Sequence, residues 1–188
     1  MDKEFFLQAR QQAISWARDL LKRDPATWVI LDTETTGLGT DAQVIQIGVL
    51  DGRGNVLMDN VLVKPTKPIP SDATAVHHIT NAMVQAAPAF PDVLPQLREV
   101  VAGKLLVIYN AQYDMRLLMQ SGKAHNIGIK LGIEGFTCAM LQYAEWVGEW
   151  NDYHKSFRWQ KLQGGDHSAL GDCRATLEVI RKMAESAE

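Results

Sequence analysis

In the segment "WVILDTETTGLG", residues 28–39, a run of apolar residues leads directly into two carboxylates. Residues 27–31 predict a short buried strand. Side chains alternate along a strand, so Asp32 and Glu34 project from the same face of it. Two carboxylates held this close repel each other unless a cation or a proton lies between them. The segment therefore predicts either a strand end with solvated acids or one part of a site for a hard divalent cation.

The composition is that of an ordinary globular domain. The chain has 188 residues, 46% of them hydrophobic and 22% charged, which fits one domain. No apolar run approaches the roughly 20 residues that span a bilayer, and the N-terminus lacks a secretion signal. The two cysteines, Cys138 and Cys173, lack the spacing of a zinc site. We therefore expect a cytoplasmic protein with reduced thiols and no membrane contact.

The order of the predicted elements indicates an α/β protein with a mixed sheet flanked by helices. Strands are predicted at 43–51 and 55–65, joined by a "DGRGN" turn, so the sheet begins with three antiparallel strands. Strand–helix alternation follows, with later strands at 105–109 and from residue 135. Helices are predicted at 3–23, in a short segment from Asn81 that ends before Pro88, at 92–103, from Ala111, in the segment that follows the strand at residue 135 and ends at about Glu149, and from about Ser168 to Ala184. Loops are predicted at 66–73 and 149–166.

Two further acids fall near the starts of predicted helices. Asn110 and Ser168 are expected to cap their helices, which places Asp114 and Asp172 within the first turns. His167 is five residues before Asp172, a separation of about 140° on a helix, so we place it in the preceding loop. Taken singly, a surface histidine and an acid that interacts with the helix dipole are the simpler interpretations.

Three segments together resemble the motifs of the DEDDh 3′–5′ exonucleases, the DnaQ-like group that includes the epsilon proofreading subunit of DNA polymerase III. They are "DTETTGL" (32–38), "YNAQYDMRLL" (109–118) and "HSALGDCRAT" (167–176). The resemblance implies an RNase H-like fold with a mixed five-stranded sheet flanked by helices. It implies an exonuclease domain over residues 26–188, preceded by a helical extension at 1–25.

The resemblance also implies a role for each residue of the site. Asp32, Glu34, Asp114 and Asp172 would hold two Mg²⁺ or Mn²⁺ ions, with Asp32 bridging them and Asp114 acting partly through a water. His167 would be the general base for the attacking water. Two such ions, about 3.5–4 Å apart, supply a nucleophile at neutral pH and stabilise the leaving oxygen. A histidine with a pKa near 6.5 suits proton abstraction at pH 7.

The resemblance extends to residues that would bind the substrate. Thr35, Thr36, Gly37 and Leu38 would line the pocket for the last nucleotide, although the threonines also suit a simple turn. The set further includes His77, Tyr109 and Asn110. Two positions depart from the family pattern: Tyr109 stands where many relatives have histidine, and His78, in "AVHHIT", stands where glycine is common.

The sequence leaves the substrate and the partners open. The first hypothesis is release of nucleoside 5′-monophosphates from mainly single-stranded DNA, in proofreading, repair or end trimming. The alternatives are an exoribonuclease or oligoribonuclease that trims RNA 3′ ends, and a non-catalytic nucleic-acid-binding scaffold. The partner is a DNA or RNA 3′ end, with a polymerase or repair protein and a homodimer as further possibilities. The segment 152–161 mixes basic and aromatic residues, which fits strand binding or core packing equally.

Overall fold

The computed structural model describes residues 3–187 and contains a five-stranded mixed sheet in the order β3-β2-β1-β4-β5. The central strand β1 pairs antiparallel with β2 and parallel with β4. Of the outer strands, β3 pairs antiparallel with β2, and β5 pairs parallel with β4. This arrangement confirms the predicted fold class. The strands are β1 (Trp28–Thr35), β2 (Val44–Asp51), β3 (Val56–Leu62), β4 (Leu105–Ile108) and β5 (Gly135–Cys138).

Seven α-helices of the described residues surround the sheet, with a 3₁₀ turn at Pro25–Thr27 between α1 and β1. The short helices α2 and α3 lie between β3 and α4. Helices α4 and α5 flank β4, and α6 and α7 follow β5. They are α1 (Lys3–Lys22), α2 (Ser71–His77), α3 (Asn81–Val84), α4 (Phe90–Val101), α5 (Ala111–Ala124), α6 (Ala139–Val147) and α7 (Ala169–Ala184).

Two apolar cores lie on opposite faces of the sheet, and β1 contributes alternate residues to each. Val29 and Leu31 pack with α4 and α5, whereas Trp28 and Ile30 pack with α1, α6 and α7. Burying each such side chain stabilises the fold by about 1.5–3 kcal/mol. The alternation continues past the apolar run, so Asp32 and Glu34 lie on the face that α7 covers. The core packing therefore determines which helix the two acids meet.

Helix α1, which forms most of the predicted N-terminal extension, packs against the helical layer of α6 and α7. Its buried stripe includes Ala9, Ala13 and Ala17, and these small side chains allow a close approach. Arg18 donates hydrogen bonds to carbonyl oxygens at the end of α7, including that of Ala184 at 3.0 Å. The outer limits of the predicted segments, residues 1 and 188, lie outside the described residues.

The structure corrects three local predictions. The proposed loop at 66–73 contains the start of α2, whose seven residues are too few to show helical periodicity. The stretch 149–166 contains a small antiparallel hairpin, β6 (Trp150–Asn151) and β7 (Ser156–Phe157), with strands too short to show alternation. Asn110 occupies the N-cap position of α5, but its side chain makes no capping hydrogen bond.

Candidate active site

The end of β1 presents its acids towards one side of the sheet. Asp32 and Glu34 are partly buried, while the intervening Thr33 is buried on the opposite face. Thr33 thereby contacts α5, and the two acids face α7. The period of two along the strand fixes this division, as the sequence predicted.

Side chains from β2 and β3 hold the N-terminus of α7 against the sheet. The amide groups of its first three residues donate to Gln46 Oε1 at 2.9 Å, Asn60 Oδ1 at 2.8 Å and Ser168 Oγ at 3.1 Å. These amides have no acceptor inside the helix, so the three side chains supply the missing partners. Gly48 allows the close approach, because an added Cβ would lie 2.6 Å from the helix backbone. Asp172, in the first turn of α7, is therefore brought to the end of β1.

Three carboxylates converge at this point. Asp32, Glu34 and Asp172 each offer an oxygen atom, and these atoms all lie within 4.8 Å of one another. Hard anionic oxygens at this spacing are the ligands that Mg²⁺ and Mn²⁺ prefer. The residues therefore fit a divalent cation, and without one their negative charges repel each other.

Asp114 stands beside this group with one oxygen already engaged. It is 4% exposed, and its Oδ1 accepts hydrogen bonds from the backbone N–H of Thr33 at 3.1 Å and from the Thr33 hydroxyl at 2.8 Å. It does not join the three carboxylates within 4.8 Å, although it lines the same cleft. This position suits a carboxylate that acts on an ion through an intervening water.

Burial favours the protonated form of all four acids, and repulsion within the group adds to this effect at Asp32, Glu34 and Asp114. Burial, followed by the charges of Asp114 and Asp172, raises the pKa of Asp32 well above its usual range. Burial and the charge of Asp172 raise the pKa of Glu34 to about 8. Burial raises the pKa of Asp114 to about 7 against the hydrogen bonds from Thr33, and burial also raises the pKa of Asp172. A bound cation would relieve this cost, because it stabilises the charged forms.

His167 lies in the loop just before α7 and is exposed. Its backbone has φ +60°, in the left-handed region, and its N–H donates to Asp172 Oδ1 at 3.2 Å. The backbone N–H of Asp166 donates to the same oxygen at 3.0 Å. His167 also lines the cleft that contains the acids. The loop placement predicted from the five-residue spacing agrees with the structure.

The cleft between β1, α5 and the His167 loop has a volume of about 320 Å³. It brings together Tyr109, Asn110 and the five residues predicted to be catalytic. Several further residues line it that sequence reasoning did not single out. Those residues are Thr33, Tyr113, Met140 and Leu162. Gln160 and Lys161 also line the cleft, and they belong to the segment 152–161 that was predicted to serve strand binding or core packing.

The residues predicted to hold the last nucleotide form a loop beside the cleft. The Thr35 hydroxyl lies 3.0 Å from the Gly37 carbonyl oxygen and 2.9 Å from the Tyr113 hydroxyl. The Thr36 hydroxyl accepts a hydrogen bond at 3.0 Å from the backbone N–H of Gln43, the residue just before β2. Leu38 is 79% exposed. The two threonines thus shape the turn, in which Leu38 is exposed and Gly37 is partly exposed with its carbonyl oxygen accepting hydrogen bonds.

The remaining predicted residues differ in how free their polar groups are. His77 is buried, its Nδ1 accepts the Ile79 N–H at 3.0 Å, and its Nε2 has no hydrogen-bond partner within residues 3–187. The Tyr109 hydroxyl donates to the Gln160 carbonyl at 2.8 Å, and burial raises its pKa. Asn110 lines the cleft with its amide unused by α5.

Among residues 3–187, the structure contains no helix that is both long enough and apolar enough to cross a membrane.

Comparisons with known proteins identify the family of the chain. Residues 29–180 match the RNase_T exonuclease family. The chain is 39% identical over 194 residues to the "Uncharacterized exonuclease CP81" of Escherichia phage 186, covering 93% of both chains. It is 32% identical to the DNA polymerase III subunit epsilon of Pasteurella multocida, over 56% of this chain and 45% of that one.

Solved structures show the same fold. Exonuclease X in complex with 5′ overhanging duplex DNA superposes with a TM-score of 0.56 at 28% identity, covering 85% of this chain and 94% of that one. The nuclease domain of 3′hExo, described as a DEDDh family member bound to rAMP, superposes with a TM-score of 0.55 at 13% identity, over 84% and 92% of the two chains. The family match and these relatives define the class of the protein as an exonuclease. This chain belongs to the RNase_T exonuclease family.

Proposed function

We propose that this protein is a metal-dependent 3′–5′ exonuclease that releases nucleoside 5′-monophosphates, mainly from single-stranded DNA. The observation that carries the proposal is the convergence of Asp32, Glu34 and Asp172 within 4.8 Å, in a cleft that also contains Asp114 and His167. These residues come from β1, α5 and α7, which are distant in sequence. Cleavage of a phosphodiester requires a deprotonated nucleophile and neutralisation of the phosphate charge.

Asp32, Glu34 and Asp172 would hold Mg²⁺ or Mn²⁺, and Asp114 would contribute through water. Two such ions lower the pKa of a bound water and stabilise the leaving 3′ oxygen. The acids are kept close by the strand on one side and the capped helix on the other. In the metal-free state the carboxylates repel each other, and packing and hydrogen bonds at the ends of β1 and α7 hold them together against this repulsion.

His167 would accept the proton of the attacking water. Its exposed imidazole lies on a short loop that Asp172 Oδ1 holds through two backbone amides. The hydrogen bonds fix the backbone position of His167, and the exposed imidazole can rotate towards the attacking water. A positioned general base of this kind contributes about 10²–10⁴-fold to the rate.

Three groups near the cleft are suited to hold the end of the strand. The Asn110 amide can donate to a phosphate or sugar oxygen, and Gly37 lets the backbone approach the terminal nucleotide. His77 carries its proton on Nε2, because Nδ1 accepts the Ile79 amide. This nitrogen is buried beside the backbone of Thr35, so a substrate oxygen would reach it only when the neighbouring loop opens.

The presence of all five catalytic residues in one cleft argues against the scaffold alternative. An RNA-trimming activity would use the same residues, so the choice of substrate needs a direct test. We would incubate the protein with 20-mers of matched sequence as single-stranded DNA, single-stranded RNA and duplex DNA with a paired or mismatched 3′ end. Each 20-mer would carry a label at either the 3′ or the 5′ end.

We expect immediate release of a labelled mononucleotide from the 3′ label with Mg²⁺ or Mn²⁺, and a descending ladder from the 5′ label. Faster loss of RNA than of DNA would favour the exoribonuclease. Binding of the 20-mers without release in either metal would overturn the proposed function and favour a scaffold.

A further inference from the structure

The hairpin β6–β7 and the segment that leads from it to the cleft form a distinct feature, residues 150–161, which we call the arm. The base of the arm is fixed to the N-terminal helix through aromatic contacts. Phe157 stacks on Phe5 with ring centroids 5.8 Å apart and an angle of 3°. Trp150 meets Phe157 edge to face at 5.2 Å and Phe6 at 6.1 Å. Such pairs add about 0.5–1.5 kcal/mol each beyond their buried area.

The other aromatic residues of the arm face solvent. Trp159 is 68% exposed and Tyr153, at the tip, is 89% exposed. A hollow of about 520 Å³ lies along the arm beside Trp159, lined by Asn151, His154, Ser156, Phe157 and Arg158. The arm therefore divides its aromatic side chains: one pair anchors it, and the other pair is presented outward.

The charge of the arm differs from that of the whole protein. It carries Lys155, Arg158 and Lys161 against the single acid Asp152, whereas the chain has a net charge of −3. Asp152 contacts Lys155 at 3.7 Å in an exposed pair. Arg158 and Lys161 form no ion pair among residues 3–187 and are exposed. The end of the arm nearest the cleft is thus locally positive.

The arm is continuous with the candidate active site. Gln160 and Lys161 line the cleft, and the Gln160 carbonyl accepts the hydrogen bond from Tyr109. Trp159 precedes them directly, so at most about 7 Å of extended chain separates it from Lys161. A strand that leaves the cleft on this side would meet an exposed indole ring and two unpaired cations.

We propose that the arm binds the single-stranded part of the substrate upstream of the scissile phosphate, with Trp159 stacking on an unpaired base and Arg158 contacting a phosphate. This inference rests on the proposed function, since it assigns a binding surface to the same substrate. An unpaired base is the occupant that fits best, because a duplex already stacks its bases internally and would leave the indole without a partner. The N-terminal helix then acts as the support of the arm.

The test compares substrates of different length. A dinucleotide has only one nucleotide upstream of the scissile phosphate, whereas a 20-mer extends along the whole arm. Trp159→Ala should raise KM about fivefold to a hundredfold on a single-stranded 20-mer, the scale of losing one stacked base. It should leave kcat and the KM for a dinucleotide unchanged. Trp159→Phe, which keeps a ring, should retain most of the affinity for the 20-mer.

The charged contact has its own measurement and control. Arg158→Ala should reduce the slope of log Kd against log salt for the 20-mer by about 0.7, the value for one phosphate of a single strand. Arg53→Ala, in the exposed turn between β2 and β3 at the far end of the sheet, should change neither this slope nor the KM for the 20-mer. Phe6→Ala should raise KM for the 20-mer but not for the dinucleotide, because it loosens the base of the arm.

The outcomes separate the two proposals. Equal KM values for wild type and Trp159→Ala on the 20-mer would overturn the role of the arm while leaving the exonuclease intact. If the wild type releases no mononucleotide, binding of the 20-mer is measured by fluorescence anisotropy instead. Weakened binding by Trp159→Ala would then support the arm without the activity, and unchanged binding would overturn it.

Discussion

Asp172 Oδ1 accepts the backbone N–H of His167 at 3.2 Å, so one carboxylate both joins the acidic cluster and holds the loop of the candidate base. The backbone N–H of Asp166 strengthens the link at 3.0 Å. The helix that presents Asp172 is itself capped by side chains from two strands. The position of the histidine therefore depends on the sheet through a short chain of hydrogen bonds, and each step can be tested.

Replacement of the base should slow cleavage without changing substrate binding. We expect His167→Ala to lower kcat about 10²–10⁴-fold with little change in KM, because only proton transfer is lost. The measurement is single-turnover release of mononucleotide at pH 7. His125→Ala, at the end of α5 away from Asp114, is the matched control and should keep wild-type kcat. Full activity of His167→Ala would show that another group takes the proton.

Two replacements of Asp172 separate its charge from its hydrogen bonds. Asp172→Asn and Asp172→Ala should both abolish cleavage, because neither supplies an anionic oxygen. The asparagine keeps an acceptor for the two loop amides, whereas alanine does not. Hydrogen exchange of the amides of Asp166 and His167 should therefore accelerate in Asp172→Ala and remain near wild type in Asp172→Asn. Equal exchange in both variants would show that the loop is held by other contacts.

The stability of the metal-free protein should fall as the pH rises. The folded pKa values of the four acids are raised, to about 8 for Glu34 and about 7 for Asp114, above those of the unfolded chain. The folded state therefore binds more protons in the window from about pH 4 to pH 8, and its stability is lost as the acids ionise through that window. Millimolar Mg²⁺ should restore the loss at pH 8.

The measurement is the thermal midpoint in EDTA at pH 5, 6.5 and 8, with and without added Mg²⁺. Glu34→Gln serves as the comparison, because it removes one charge from the cluster while nearly keeping the shape. It should be more stable than the wild type at pH 8 in EDTA, should respond less to Mg²⁺, and should be inactive. A midpoint of the wild type that rises from pH 5 to pH 8 in EDTA would contradict the assignment.

The capping of α7 predicts a stability cost far from the chemistry. Gln46 is buried, and its Oε1 accepts the first amide of the helix at 2.9 Å. Gln46→Leu keeps the bulk but leaves that amide buried without an acceptor, which costs about 1–3 kcal/mol. Denaturant unfolding measures this cost, and the exposed Gln85→Leu should change the free energy by less than about 0.5 kcal/mol. Mg²⁺ affinity should fall in Gln46→Leu alone.

The sequence predicts the parts of the site that follow local rules. Strand alternation places Asp32 and Glu34 on one face, and the capping residue Ser168 places Asp172 in the first turn of α7. The sheet follows from the apolar runs and the order of the elements. Long-range polar contacts leave no such pattern, so the hydrogen bonds from Thr33 to Asp114 could not be predicted. They need the parallel pairing of β1 with β4, which brings α5 beside β1.

Short strands and isolated contacts could not be predicted from the sequence either, because they too depend on long-range contacts. The two-residue strands of the hairpin depend on packing between its aromatic residues and α1, 145 residues away in sequence at Phe5 and Trp150. Tyr113 carried a weaker signal, since it stands directly before Asp114 in the first turn of α5. The contacts of its hydroxyl group leave no pattern in the sequence, and only the structure shows them.

The Tyr113 hydroxyl should contribute to substrate binding. Tyr113 Oη lies 2.9 Å from the Gly37 carbonyl oxygen and 2.9 Å from Thr35 Oγ1, so it ties α5 to the loop beside the cleft. Tyr113→Phe keeps the ring and removes both contacts, a loss of about 1 kcal/mol. We expect KM for single-stranded oligomers to rise about fivefold with kcat within twofold, because the loop is held less firmly where the terminal nucleotide binds. Tyr153→Phe, at the tip of the arm, removes a hydroxyl but keeps its ring face and should leave KM unchanged. A fall in kcat without a change in KM would instead place the Tyr113 hydroxyl in the chemical step.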